Sequence, residues 1–176
     1  MLAFRDGDRH AFETLFALYT PRVLTFLTRM VRDRARAEEL TQDVVVRIYN
    51  AAGRYEAKAR VSTWIFGIAH NLALNELARA HRRYEQSADE LAELPAADPA
   101  PSADEQLEAD YTRRRLEQAL AKLPERQRAA LLLRSEQGLG YDEIAQALAT
   151  SVSSVKSLIH RARAALLADL GLLDSR

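Results

Sequence analysis

Tyr141-Asp142-Glu143-Ile144-Ala145-Gln146-Ala147-Leu148, then Ala149-Thr150-Ser151, then the run from Val152 to about Asp169 decide the fold. The first piece has the spacing of a short amphipathic helix. The second is a three-residue turn, and Ser151 suits the N-cap of the helix after it, because its hydroxyl can accept from a free N–H in the first turn of that helix. In the last piece Val152, Val155, Ile159, Ala162 and Leu166 make one apolar stripe at helical spacing. Lys156, Ser157, His160, Arg161 and Arg163 are left on the other side. A short helix, a tight turn and a second helix with a polar, basic face is the helix-turn-helix pattern. Its second helix fits the major groove of DNA and presents side chains to base edges. An ordinary helical hairpin would satisfy the same spacing.

Toward the N-terminus, Gly138-Leu139-Gly140 ends a helix from Glu125 to Gln137 that Pro124 opens. Leu123-Pro124 in turn ends a helix from about Asp104 to Lys122. Before it the composition changes. The 176 residues carry 25 Lys+Arg and 25 Asp+Glu, a net charge of zero that hides an asymmetry. Residues 1–84 hold 14 basic and 9 acidic side chains, residues 85–110 hold none and 9, and residues 111–176 hold 11 and 7. The acidic segment also contains Pro95, Pro99 and Pro101. Like charge, Pro and low hydrophobicity oppose a compact core. The expectation is an all-α chain of two small helical domains, 1–85 and 105–176, joined by a flexible acidic linker over 86–104. A solvated loop within a single domain is the alternative.

The first block is predicted to be a three- to four-helix bundle and the last a four-helix domain containing the helix-turn-helix. Asp8 suits an N-cap ahead of Phe12, Leu15, Phe16 and Tyr19, and Thr20-Pro21 reads as a second helix start before Val23, Leu24, Leu27, Met30 and Val31. From about Ala35 to Asn50, Ala37, Leu40, Val44 and Ile48 face one way. Glu39, Gln42, Asp43 and Val46 lie on another side, and an apolar Val46 there hints at a partner surface. Residues 54–60 have no apolar period and form a basic loop containing Tyr55. A helix then runs from Ser62 or Thr63 to about Arg83, with Trp64, Ile68 and Leu72 on one stripe and a basic far end. Basic side chains beside an aromatic suit phosphates and unstacked bases, although a core Trp and a solvated helix end explain the same residues.

Other classes of function are disfavoured. Without Cys there is no disulfide framework, thiolate metal site or Cys nucleophile. His10, His70, His81 and His160 lack ligand spacing, and no glycine-rich phosphate loop occurs. No catalytic residue, metal or cofactor is therefore expected. No apolar run approaches the roughly 18 residues of a membrane span. The segment Met1 to Asp8 lacks the apolar core of a signal peptide. A soluble, cytoplasmic protein with no direct membrane insertion is expected.

Several pieces, in order, resemble the extracytoplasmic-function sigma factors of the sigma-70 family. They are Gly7-Asp8…Ala11-Phe12…Leu15-Phe16, Ala37-Glu38-Glu39-Leu40-Thr41-Gln42-Asp43, and Ser62-Thr63-Trp64-Ile65-Phe66-Gly67-Ile68-Ala69-His70-Asn71. In the second half they are Leu123-Pro124-Glu125-Arg126-Gln127-Arg128, Glu143-Ile144-Ala145…Leu148 and Ser154-Val155-Lys156-Ser157…His160-Arg161-Ala162-Arg163. The resemblance implies a monomeric factor that recruits core RNA polymerase to promoter DNA, and an anti-sigma factor as a further partner. It implies core-polymerase binding by Glu39, Leu40, Gln42 and Asp43, with Val46 beside them. It implies that the loop 54–60 holds a base flipped from the -10 element, so that Arg54, Tyr55, Lys58 and Arg60, with Asn71, Asn75 and Arg79, face that element. Trp64 would support the loop. The helix from Val152 would read the -35 element through Lys156, Ser157, His160 and Arg161, with Arg163 on a phosphate. Two positions depart from the family pattern: Leu158 where Arg is frequent, and Ala149 where the turn usually has Gly. A dimeric repressor or activator, or a helical adaptor without a nucleic-acid role, are the competing expectations.

Overall fold

Polar side chains set where the principal helices begin. The computed structural model describes residues 1–57, 59–87 and 104–171, with side chains omitted at 86–87 and 104–109. After a first turn, α1 (Leu2–Arg5), Asp8 caps α2 (Arg9–Val31) by accepting from the His10 and Ala11 N–H groups. Asp33 caps α3 (Arg34–Ala51) through the Arg36 N–H. A 3-10 turn over Ala52–Arg54 leads to α4 (Val61–Ser87). The second group is α5 (Asp104–Lys122), α6 (Glu125–Ser135), α7 (Tyr141–Ala147) and α8 (Val152–Asp169). Ser151 accepts from the Ser154 N–H at 3.2 Å, and Glu143 accepts from the Gly140 N–H at 2.7 Å. These two bonds fix both helix starts of the helix-turn-helix. Among the described residues there is no strand. The all-α class with two helical groups is as expected, while most of the expected linker, 88–103, lies outside the described residues.

Thr20-Pro21, expected to start a new helix, lies inside α2. Proline within a helix costs about 3 kcal/mol. Here Pro21 is exposed, and the turns after it bury Val23, Phe26, Leu27 and Met30. At roughly 1.5–3 kcal/mol for each large apolar side chain, that burial outweighs the proline.

One buried cluster runs through both groups. It joins Phe26, Leu27, Val44, Ile65 and Phe66 to Leu132, Leu133, Ile144, Val155 and Ile159. Phe26 and Phe66 meet edge to face at 5.7 Å. Polar contacts stitch the same boundary. Arg22 donates to the Gln137 side chain at 3.0 Å and to its carbonyl at 3.1 Å. Arg29 pairs with Glu117 at 2.9 Å and with Glu136. Arg128, 4 % exposed, donates to the Met30 carbonyl at 2.9 Å. Gly67 of α4 lies where a Cβ would stand 3.5 Å from the Ala147 carbonyl oxygen of α7, so any side chain longer than a methyl would force the helices apart.

The turn between α7 and α8 closes with Thr150 N–H donating to the Ala145 carbonyl at 2.9 Å, and Ala149 takes φ +47° to allow it. A left-handed Ala costs about 1–2 kcal/mol, whereas Gly adopts the region freely. Net of the extra chain entropy of Gly, Ala149→Gly should raise stability by about 1 kcal/mol and the thermal midpoint by about 2–4 °C. A calorimetric midpoint equal to or below that of wild type would contradict this account of the turn.

Candidate functional site

Three helices each present a chemically distinct face. On α8, 100° per residue places Lys156, Ser157, His160, Arg161 and Arg163 together, opposite buried Val155, Ile159 and Ala162. All five are exposed, and they line an open groove whose end wall is Tyr141. Lys156 Nζ lies 5.9 Å from the Tyr141 ring centre, and the Arg134 guanidinium lies 5.1 Å from it. Tyr141 and Arg134 were not among the expected site residues. Their signal is an aromatic at the first position of a helix whose neighbour is basic, which spacing alone does not single out.

On α4, Asn71, Asn75 and Arg79 are exposed and lie on one stripe, with half-buried Trp64 and Ile68 at its start. The loop before α4 forms a recess lined by Ala51, Arg54, Tyr55, Glu56, Ala59 and Trp64. Arg54 and Arg60 are exposed at its rim, and Lys58 lies outside the described residues. Tyr55 differs from expectation. It is 7 % exposed, its ring lies 5.1 Å from that of Trp64, and its hydroxyl donates to the Ala59 carbonyl at 3.2 Å. Its ring is thus a wall of the recess and not a free stacking surface, because packing on Trp64 removes more apolar area from water than an exposed ring would.

On α3, Glu39, Gln42, Asp43 and Val46 share an exposed face. Leu40 does not belong to it. At 2 % exposure it is buried with Ala37, Val44 and Ile48 against α2 and α4, so its side chain cannot meet a partner. Its neighbours at positions 39 and 42 face outward because a 3.6-residue turn swings them about 100° and 200° away. Tyr49, 59 % exposed, extends the face one turn beyond Val46, itself 55 % exposed. The i, i+3 spacing from Val46 is the signal that could have found it.

An ion network anchors this face. Arg36 Nη2 donates to Glu76 at 2.8 Å, and Arg36 also pairs with Glu39. Arg83 donates to the other Glu76 oxygen at 3.1 Å. Hydrogen bonding from Arg36 holds the Glu76 carboxyl below the usual carboxylate range, and the same bond raises the Arg36 guanidinium. Glu76 is 6 % exposed and stays ionised, so it ties α3 to α4 between their two exposed faces. The acidic face of α3, the mixed amide and basic face of α4 and the basic face of α8 therefore suit, in turn, a basic protein surface, single-stranded bases and duplex DNA.

Comparison with known proteins converges on one family. Residues 15–83 match the family model of sigma-70 region 2, and residues 113–166 match that of sigma-70 region 4. The chain is 35% identical to the RNA polymerase sigma factor CarQ of Myxococcus xanthus, over 99% of this chain and 97% of that protein. It is 34% identical to the RNA polymerase sigma-H factor of Pseudomonas aeruginosa, over 91% of this chain and 86% of that one. Among solved structures it is similar to the sigma factor RpoE of Bartonella quintana in complex with the anti-sigma factor NepR. There the TM-score is 0.74 at 25% identity, covering 93% of this chain and 98% of that one. CnrH, solved with the cytosolic domain of CnrY, shares the fold at a TM-score of 0.70 and 22% identity, covering 98% of this chain and 97% of that one. The chain belongs to the sigma-70 family, as a member of its extracytoplasmic-function group.

Proposed function

We propose that this sigma factor uses the three faces in division of labour, as a transcription initiation factor without catalytic groups of its own. Residues 1–85 act as the polymerase- and -10-binding domain, 86–104 as the linker and 105–176 as the -35-binding domain. Glu39, Gln42, Asp43 and Val46, joined by Tyr49, dock on core RNA polymerase. Arg54, Lys58 and Arg60 hold the -10 backbone around the recess, whose Tyr55–Trp64 wall accepts one flipped base. Asn71 and Asn75 offer paired donors and acceptors to bases beside it, and Arg79 a phosphate contact. Lys156, Ser157, His160 and Arg161 reach base edges of the -35 element in the major groove, with Arg163 on a phosphate. The observation that carries this reading is the segregation of Glu39, Gln42, Asp43 and Val46, of Asn71, Asn75 and Arg79, and of Lys156, Ser157, His160, Arg161 and Arg163 onto three exposed faces within the two matched segments. The factor works as a monomer in the cytoplasm, where its polymerase is. Its control falls to an anti-sigma factor, since the similar RpoE structure is of a sigma factor held by such a partner. No helix among the described residues is long and apolar enough to cross a membrane.

The primary test is a titration of labelled protein with purified bacterial core RNA polymerase, read by anisotropy, where saturation at nanomolar protein is expected. Asp43→Arg should weaken that binding at least tenfold, about 1.4 kcal/mol, with an unchanged thermal midpoint. Wild-type affinity in the variant would move docking away from α3.

Lys156→Ala should lower transcription from a promoter with a -35 element and relax the preference at one base pair of that element by about 1–3 kcal/mol. Equal transcription from templates with and without that element would remove α8 from promoter reading. Replacing residues 54–60 by the loop of a relative should change the preferred -10 sequence in selection from randomised promoters. An unchanged preference would place readout on Asn71 and Asn75 instead.

A further inference from the structure

The face of α4 that meets the second group holds an unusual residue. Helical geometry places Thr63, Gly67, His70 and Leu74 within about 60° of one another. Thr63 Oγ1 lies 3.4 Å from Glu143 Oε1, and Gly67 abuts the Ala147 carbonyl, so this face is the one turned to α7. His70 is 2 % exposed, and neither ring nitrogen has a hydrogen-bond partner. A buried imidazole without partners is stable only in its neutral form, because a buried, unpaired imidazolium would carry a large desolvation cost.

The packing that buries it must come apart for the proposed function, on which this inference rests. Elements at -10 and -35 are about 25 base pairs apart, or about 85 Å of B-DNA at 3.4 Å per step. A compact chain of this length has a radius of gyration of about 16 Å and is only about 40 Å across. The two reader faces cannot span that distance while α4 is packed on α6 and α7. We infer that the closed packing is a resting state and that the neutral, unpartnered His70 within it makes opening proton-linked.

The sign follows from the groups around His70. Burial, with the positive charge of Arg126 on α6, pushes the imidazole down to about 4 in the closed packing. Once α6 and α7 leave, it returns to the ordinary value of about 6.5. A group whose value is depressed by closure favours closure above 6.5 and withdraws that support as pH falls from 6.5 toward 4. The other charges nearby are committed elsewhere. On α6, Arg128 donates to the Met30 and Ala121 carbonyls. On α7, Glu143 is held by Gly140 N–H, Thr63 and Arg60. On α2, Arg22 is held by Gln137, and on α3, Arg36 is paired with Glu76 on the far side of α4. Glu136 acts in the opposite sense. Burial raises its carboxyl, so its protonation supports closure and can only reduce the response.

The chain has no Cys, so Asn50→Cys and Ala168→Cys, both at exposed sites on different groups, allow paired dye labelling. Single-molecule energy transfer on the full chain, without polymerase or DNA, counts closed and open molecules. Between pH 8 and pH 5.5 the open-to-closed ratio should rise about tenfold. In His70→Leu and His70→Gln it should not rise over that range, with circular dichroism confirming that the variants are folded. A wild-type ratio that does not rise, or a rise that persists in either folded variant, overturns the inference. Gly67→Leu should open the chain already at pH 8, and a closed Gly67→Leu chain would likewise overturn it. Failure to bind polymerase would count against the transcription role and leave this measurement untouched.

Discussion

Helix α4 has three faces and each is committed to a different neighbour. Ile65, Ala69, Leu72 and Glu76 face α2 and α3, and Thr63 and Gly67 meet α7, with buried His70 on their side of the helix near Arg126 of α6. Between these faces Asn71, Asn75 and Arg79 stay exposed, and from Ala78 to Glu85 the helix is exposed on every side. A helix has room for three such faces of about 120° and no more. Up to Leu77 the exposed stripe is narrow for this reason, and the face toward α7 has room at position 67 for nothing larger than a methyl. Gly67 lets α7 approach closely, and that approach orients the helix-turn-helix relative to the loop 54–60.

The boundary between the two groups is apolar in its middle and ionic at its edges. Apolar burial there adds to stability without direction, whereas Arg29 with Glu117 and Glu136, Arg22 with Gln137, and Arg60 with Glu143 fix the register. A boundary of this mixed kind resembles a transient protein interface more than a domain core. The buried Arg128 is the exception. Desolvation pulls its guanidinium below the usual value, and its Nε has no partner. Bonds to two carbonyls offset part of that cost. The bond to Met30 ends if the groups separate, but water then replaces it, so opening does not strand the charge.

Much of this was legible from local pattern. The helix-turn-helix boundaries followed from Ser151 and the apolar period, because caps and periodicity act within a few residues. The polar faces of α3 and α8 followed from the same period. Features set by long-range packing were not legible. Pro21 reads as a helix start by its own chemistry, yet the buried side chains after it carry the helix through. Leu40 was legible from its spacing with Ala37, Val44 and Ile48, and its burial agrees with that stripe, not with the polymerase contact that the resemblance implied. Tyr55 reads as an exposed loop aromatic until Trp64, nine residues later, folds onto it. The contacts of Arg22, Arg29 and Arg128 join residues about 100 positions apart, and no spacing rule reaches that far.

The closed packing leaves both proposed reader faces in solvent, so it does not restrain the protein by covering them. It restrains by geometry. With the faces held on one small globule, duplex DNA can engage one of them at a time, and each single contact has the modest, salt-sensitive affinity of a small basic module. Separated to the spacing of the two elements, the second contact becomes intramolecular and gains the effective concentration of a tethered site. A partner that stabilises the separated arrangement thereby turns two weak contacts into one strong one without altering a single side chain that touches DNA. The free energy that discriminates promoter-bound from free protein is then stored at the boundary between α4 and α7, far from the bases.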